Sequence, residues 1–149
     1  MSQILQQYAA LPVTGREGRF QVLLITSRST GRWIIPKGHP EKKMTPSSVA
    51  ALEALEEAGV SGTIEDVPLG RYQSTKRLPS GQVVPCDVTV FRLDVSQHHA
   101  SWKEDTERKR LWVPLTQATR FVDDGGLGDF LEELSVLAST QHALMVQSS

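Results

Sequence analysis

GHPEKKMTPSSVAALEALEEAGV, residues 38–60, is the stretch from which the rest of the chain can be organised. Thr45 suits a helix N-cap and Pro46 the first helical position, Ala50 to Ala58 is rich in strong helix formers, and Gly59 closes the segment as a C′ glycine. On a helical wheel advancing about 100° per residue, Glu53, Glu56 and Glu57 share one narrow stripe. Ala51, Leu52, Ala54, Leu55 and Ala58 then form the apolar face expected to meet the core. Glu53 is an i,i+3 neighbour of Glu56 and an i,i+4 neighbour of Glu57, and each like-charge pair costs ~0.2–0.5 kcal/mol without a counterion. A divalent cation reverses that sign. Magnesium in phosphate-handling sites is usually held by one or two carboxylates, with positions left for water and phosphate. An E-x-x-E-E pattern alone is more often the solvated face of a surface helix, so its flanks must decide.

Those flanks are specific. Gly38, Glu53, Ala54, Glu56, Glu57, Gly59 and Val60 fall on positions of the pattern G-x5-E-x7-R-E-U-x-E-E-x-G-U, with U apolar, and Trp33-Ile34-Ile35-Pro36-Lys37 leads into it. The segment resembles the Nudix box. Met44 stands where the first box glutamate is expected, and Leu52 where an arginine precedes Glu53. A second segment, Trp102 to Trp112 with an acidic loop and Arg108-Lys109-Arg110, is similar to the diphosphoinositol polyphosphate phosphohydrolase-like branch of Nudix proteins. The resemblance spans about Ala9 to Leu134.

The resemblance implies an α+β fold, an α/β/α sandwich around a mixed β-sheet. It also implies Mg2+-dependent hydrolysis, with Mn2+ as a substitute, of a phosphoanhydride bond in a nucleoside-diphosphate-linked or polyphosphorylated small molecule. A dinucleoside polyphosphate and a diphosphoinositol polyphosphate both fit that description. By resemblance Glu53, Glu56 and Glu57 hold the metal, with the carbonyl of Lys37 or Gly38 as a further ligand. Glu53 and Glu57 are the catalytic candidates, and the general base is open among Glu53, Glu57 and a loop acid such as Asp105 or Glu107. Lys37, Gly38 and Arg110 are the substrate-binding candidates. In the family the box arginine helps to orient the glutamates, so Leu52 and Met44 together motivate an alternative, a catalytically impaired domain that binds a ligand or regulates. Retention of all three carboxylates favours the enzyme.

The remaining features are permissive. With 149 residues, 39% hydrophobic and 22% charged, the chain suits one domain over residues 1–149, loose at its start and after about residue 141. Sixteen Lys and Arg against 17 Asp and Glu leave a formal net charge of −1, so no global field draws it to a nucleic-acid polymer or an anionic membrane. Anion binding must be local. The single cysteine, Cys86, excludes an intramolecular disulfide framework and a multi-cysteine zinc site, which suits a reducing cytoplasm. The opening MSQILQQYAALPV has no basic leader, and Val22 to Ile25 is too short to span a bilayer, so a soluble cytoplasmic protein is expected.

Elsewhere, strands are expected at 19–26, 32–35, 62–64, 70–76, 82–95 and 109–113, with the turn Leu78 to Gly81 making a hairpin of the fourth and fifth. A short helix is expected at 114–119 and an amphipathic one at 127–139, preceded by a flexible turn at Asp123 to Gly128. Tyr72 and Trp102 are minor substrate-side candidates beside their more usual packing roles.

Overall fold

A computed structural model of the protein describes residues 3–16 and 19–147, with side chains described as far as residue 140. Eight strands among these residues form one mixed sheet. They are β1 (Leu5–Thr14), β2 (Gln21–Thr26), β3 (Trp33–Ile34), β4 (Lys37–Gly38), β5 (Val60–Ile64), β6 (Gly70–Arg77), β7 (Val83–His98) and β8 (Arg110–Pro114). The central path runs β3-β2-β1-β7-β5, with β4 on β1, β6 on β7 and β8 on β2. Only β1 and β7 pair in parallel, from Leu5↔Cys86 to Val13↔Asp94.

The central strand β1 has no counterpart among the expected elements. Its side chains are buried on both faces: Ala9, Leu11 and Val13 enter one core and Ala10 the other. Such a strand loses the alternation that marks a half-exposed one, and two alanines and Pro12 dilute the β signal further. Strand β4 was also unforeseen, because two residues after a proline carry no periodicity. The hairpin of β6 and β7 is present, closed by Leu78 N donating to Gln82 O at 2.8 Å.

Helix α1 (Pro46–Glu53) is capped as expected: Thr45 Oγ1 accepts from Ser48 N at 3.2 Å, with Pro46 as the first helical residue. It continues into a π-helical turn, Ala54–Ala58, and ends at Gly59, whose φ of 67° is left-handed. The predicted apolar face needs correction. Ala50, Ala54 and Ala58 are fully buried, whereas Leu52 and Leu55 are 37% and 39% exposed. Small alanines at i,i+4 spacing let the helix lie close on Ala10, Leu23 and Ile25 of the sheet, and Glu57 lies on the flank of that line. Glu57 is consequently carried inward and is only 8% exposed.

Helix α2 (Gly125–Gln147) covers the opposite face through Leu127, Phe130 and Leu131, so helices flank the sheet on both sides. Asp123 to Gly128 is ordered into its start: Asp124 Oδ1 accepts from Gly126 N and Leu127 N at 3.0 and 3.2 Å, an N-cap, and Asp124 Oδ2 accepts from Ser74. The expected short helix is a 3-10 turn, Leu115–Arg120. The expected loose ends fall partly outside the described residues, at residues 1–2 and 148–149, and otherwise on residues 141–147, where only backbone is described. No described helix is long and apolar enough to cross a membrane.

Candidate active site

Strand β4 joins the two halves of the site. Its pairing with β1, Tyr8↔Gly38 and Ala9↔Lys37, holds it over the acidic helix. The Lys37 amide donates to Glu57 Oε1 at 3.1 Å. Glu53 lies against Gly38 so closely that a Cβ there would stand 2.5 Å from Glu53 Oε1 and 2.7 Å from its Cγ. Glycine at 38 is therefore required by the carboxylate rather than by its own backbone angles.

Glu53 and Glu57 are brought together, and Glu56 turns outward to Lys103 Nζ at 3.4 Å. Burial raises the Glu53 carboxyl above the usual range, and repulsion from Glu56 adds to this. Burial likewise pushes Glu57 up to about 7, against the pull of Arg108 and with repulsion from Glu53. Excess negative charge packed into a half-buried site is the condition a divalent cation relieves.

The donor set fits such an ion. Among the described residues no three Asp, Glu, His or Cys side chains already converge into a metal cage. Magnesium does not need one, because it takes one or two carboxylates and completes its shell with water and phosphate. Glu53 in its glycine-lined cradle and Glu57 beside it supply hard oxygen ligands of that kind, while Glu56 stands nearer solvent.

Two groups take roles at the site that the sequence does not assign. Glu104 is the loop acid at the site: it raises both Glu53 and Glu57, its side chain is 12% exposed, and its amide donates to Glu56 O at 3.1 Å. Asp105, one of the two acids considered, instead accepts from Trp102 N and Ser101 Oγ, both at 3.1 Å. Glu107, the other, is 48% exposed and faces Arg28 at 3.8 Å. All three acids sit within four residues, and spacing in a loop does not say which points inward. Arg108 is the second: its Nη2 donates to Glu57 Oε2 at 3.0 Å.

On the other side of β4 lies a cleft of about 850 Å³, bordered by Arg32, Trp33, Lys37, Lys76, Arg77 and Asp123. That volume suits a small-molecule ligand. Four cations line it together with Asp123 and Asp124, so a chain with a net charge of −1 still presents a locally positive cavity. Burial lowers the Lys37 ammonium from its ordinary value, and among the described residues it makes no hydrogen bond or ion pair. Lys76 Nζ donates to His39 Nε2 at 2.6 Å, and burial together with that ammonium lowers the imidazole.

Arg110 lies elsewhere. Its Nη1 donates to Ala58 O at 2.9 Å and Gly59 O at 3.3 Å, its Nη2 to His99 O at 2.6 Å, and its guanidinium stacks 3.9 Å from the Trp102 ring centroid. It caps the acidic helix and does not border the cleft. Tyr72 is buried against Phe130, and Trp102 Nε1 donates to Glu57 O at 3.1 Å, so both are packing residues.

Comparison with known proteins agrees with this geometry. A family model described as NUDIX domain matches residues 5–134. The chain is 30% identical over 142 residues to the mitochondrial Nudix hydrolase 13 of Arabidopsis thaliana, covering 89% of this chain and 70% of that protein. It is 31% identical over 103 residues to diphosphoinositol polyphosphate phosphohydrolase 2 of Rattus norvegicus, covering 67% and 53%. Nudix hydrolase 16 of Arabidopsis thaliana, also mitochondrial, is 34% identical over 116 residues, with 76% and 64% covered. The chain thus spans between about half and 70% of the length of these relatives. Among solved structures, a C. elegans Ap4A hydrolase superposes with a TM-score of 0.63 at 18% identity over 91% of this chain and 98% of that one, and the E. coli ORF135 protein with 0.66 at 17% over 93% and 94%. With its mixed sheet between two helices and its acidic helix under β4, the chain belongs to the NUDIX domain family.

Proposed function

We propose that this protein hydrolyses a phosphoanhydride bond in a polyphosphorylated small molecule, with Mg2+ held by Glu53 and Glu57 and with Glu56 at the solvent side. The observation that carries the reading is Lys37. Its amide orients Glu57, while its ammonium, largely withdrawn from water and without a partner among the described residues, stands in the cation-lined cleft. A polyphosphate threaded over β4 would reach the carboxylates at one end and the cations of the cleft along its length. When bound, the metal neutralises charge on phosphate oxygens and helps to activate the attacking water.

The protein's own groups do the positioning. Lys37, Lys76 and Arg77 bind phosphate oxygens, Arg77 with the planar fork that suits them. Gly38 leaves room for the Glu53 carboxylate, and the Lys37 amide fixes Glu57 Oε1. Glu53, Glu57 or Glu104 takes the proton from water. Trp33 at the cleft border offers an aromatic surface to the group carried by the phosphates. Cys86, unpaired and buried, suits a reducing compartment such as the cytoplasm.

The rival reading, a binding or regulatory module, draws on Leu52 and Met44. A hydrolysis panel of diadenosine tetraphosphate, ADP-ribose and a diphosphoinositol polyphosphate, with product analysis to locate the broken bond, separates the two. Mg2+-dependent turnover of one class supports the enzyme. Tight binding of one class without products from any would replace it with the module.

A further inference from the structure

The loop between β7 and β8 is fastened to the end of the acidic helix through the carbonyls that a helix C-terminus leaves without partners. Glu104 N reaches Glu56 O, Trp102 Nε1 reaches Glu57 O, and Arg110 Nη1 reaches Ala58 O and Gly59 O. That docking delivers Arg108, whose side chain is 7% exposed, to the carboxylates. All three directions of its guanidinium are used. Nη2 donates to Glu57 Oε2, Nε to Glu104 Oε1 and Nη1 to Thr26 O, each at 3.0 Å.

Among the described residues no cation on the helix itself reaches this oxygen. The residues three and four positions from Glu57 are Glu53, Ala54, Val60 and Ser61, none of them a cation, and Leu52 is exposed and apolar. The Lys37 amide fixes only Oε1.

We propose that Arg108 is a positioning residue that acts through Glu57, locking its carboxylate plane between a backbone amide and a buried guanidinium and holding Glu104 beside it. This rests on reading those carboxylates as the hydrolytic centre. A second arginine direction pinned to Thr26 O ties the lock to β2, so it stands on the sheet rather than on a free loop. Lysine keeps the charge but can reproduce only part of a three-way planar fork.

The test compares wild type with R108K and R108A by Mn2+ binding, read from the electron paramagnetic resonance of the free ion, and by steady-state kinetics on the substrate the panel identifies. R108K should weaken Mn2+ binding and lower kcat about tenfold, and R108A more, as for loss of an outer-shell partner of a metal ligand, with KM moving less. Millimolar guanidinium, but not urea, should partly restore R108A, a response that loss of structural support alone does not produce. Wild-type Mn2+ affinity and kcat in R108K, with only a lower Tm, would overturn the proposal. If wild type turns over nothing while Mn2+ affinity still falls in the order wild type, R108K, R108A, the hydrolase reading fails and the positioning role stands. Should both variants fail to fold, E104Q releases one of the three anchors. It must then weaken Mn2+ binding in the same direction, and unchanged affinity there would overturn the role.

Discussion

Lys37 and Glu57 meet through the backbone: the Lys37 amide donates to Glu57 Oε1 at 3.1 Å, while the Lys37 side chain enters the cleft on the opposite side of β4. One residue thus sets the spacing between the carboxylate pair and the first cation a phosphate would meet. A two-residue strand can do this because it is paired to β1 at both positions.

Lys37 carries a cost that function explains. Its ammonium is largely withdrawn from water and has no partner among the described residues. Lys37→Met keeps the length and removes the buried charge. The variant should gain about 1 kcal/mol of stability in urea unfolding while KM rises about tenfold and loses part of its salt dependence. Lower stability with an unchanged KM would show that Lys37 is structural.

Gly38→Ala tests the carboxylate cradle. The added methyl would overlap Glu53 at its Cγ, Cδ and Oε1, all within 2.7 Å, so the side chain must swing away. Because the obstacle is a movable side chain, the fold should survive. Displacement by about 1 Å at a reacting centre costs about 100-fold in rate, so kcat should fall by that order with circular dichroism unchanged. Retained turnover would remove Glu53 from the reacting geometry.

Cys86 is fully buried between β1 and β6, and burial pushes its thiol above the ordinary value. Between the ordinary thiol pKa and the raised one, the unfolded chain ionises and the native chain does not. Folding stability from this group is therefore present at neutral pH and declines as pH rises through that window. Native protein should resist iodoacetamide at pH 8 and react once unfolded in urea. Cys86→Ala should flatten the alkaline loss of stability. Rapid alkylation of the native state would contradict the buried assignment.

Much of this molecule can be read from residues 33–60, because helix signals there are local: Thr45 caps, Pro46 starts and Gly59 stops the helix. The family resemblance and the fold class followed from the same residues. What escaped depends on tertiary placement. Strand β1 is buried on both faces and so shows no period. Placing the apolar face opposite the glutamates puts Leu52 and Leu55 in the core, whereas the helix buries the i,i+4 line Ala50, Ala54 and Ala58 beside Glu57. Arg108 and Arg110 stand two apart in one strand approach and serve opposite ends of the problem, one holding Glu57 and the other capping the helix. Composition cannot distinguish them. Glu104 was hidden among neighbouring acids whose directions only the docked loop decides.

The most direct test of the central claim is a Mg2+ titration of turnover for wild type and Glu57→Gln, starting from EDTA-treated protein and using whichever substrate the panel identifies. Glutamine preserves shape and the bond from the Lys37 amide but removes the charge that faces Arg108 and the metal. Wild-type turnover should rise from the EDTA baseline to a plateau, and Glu57→Gln should stay at or near the baseline at every Mg2+ concentration. Turnover that persists in EDTA, or a Glu57→Gln variant that reaches the wild-type plateau, would contradict the account.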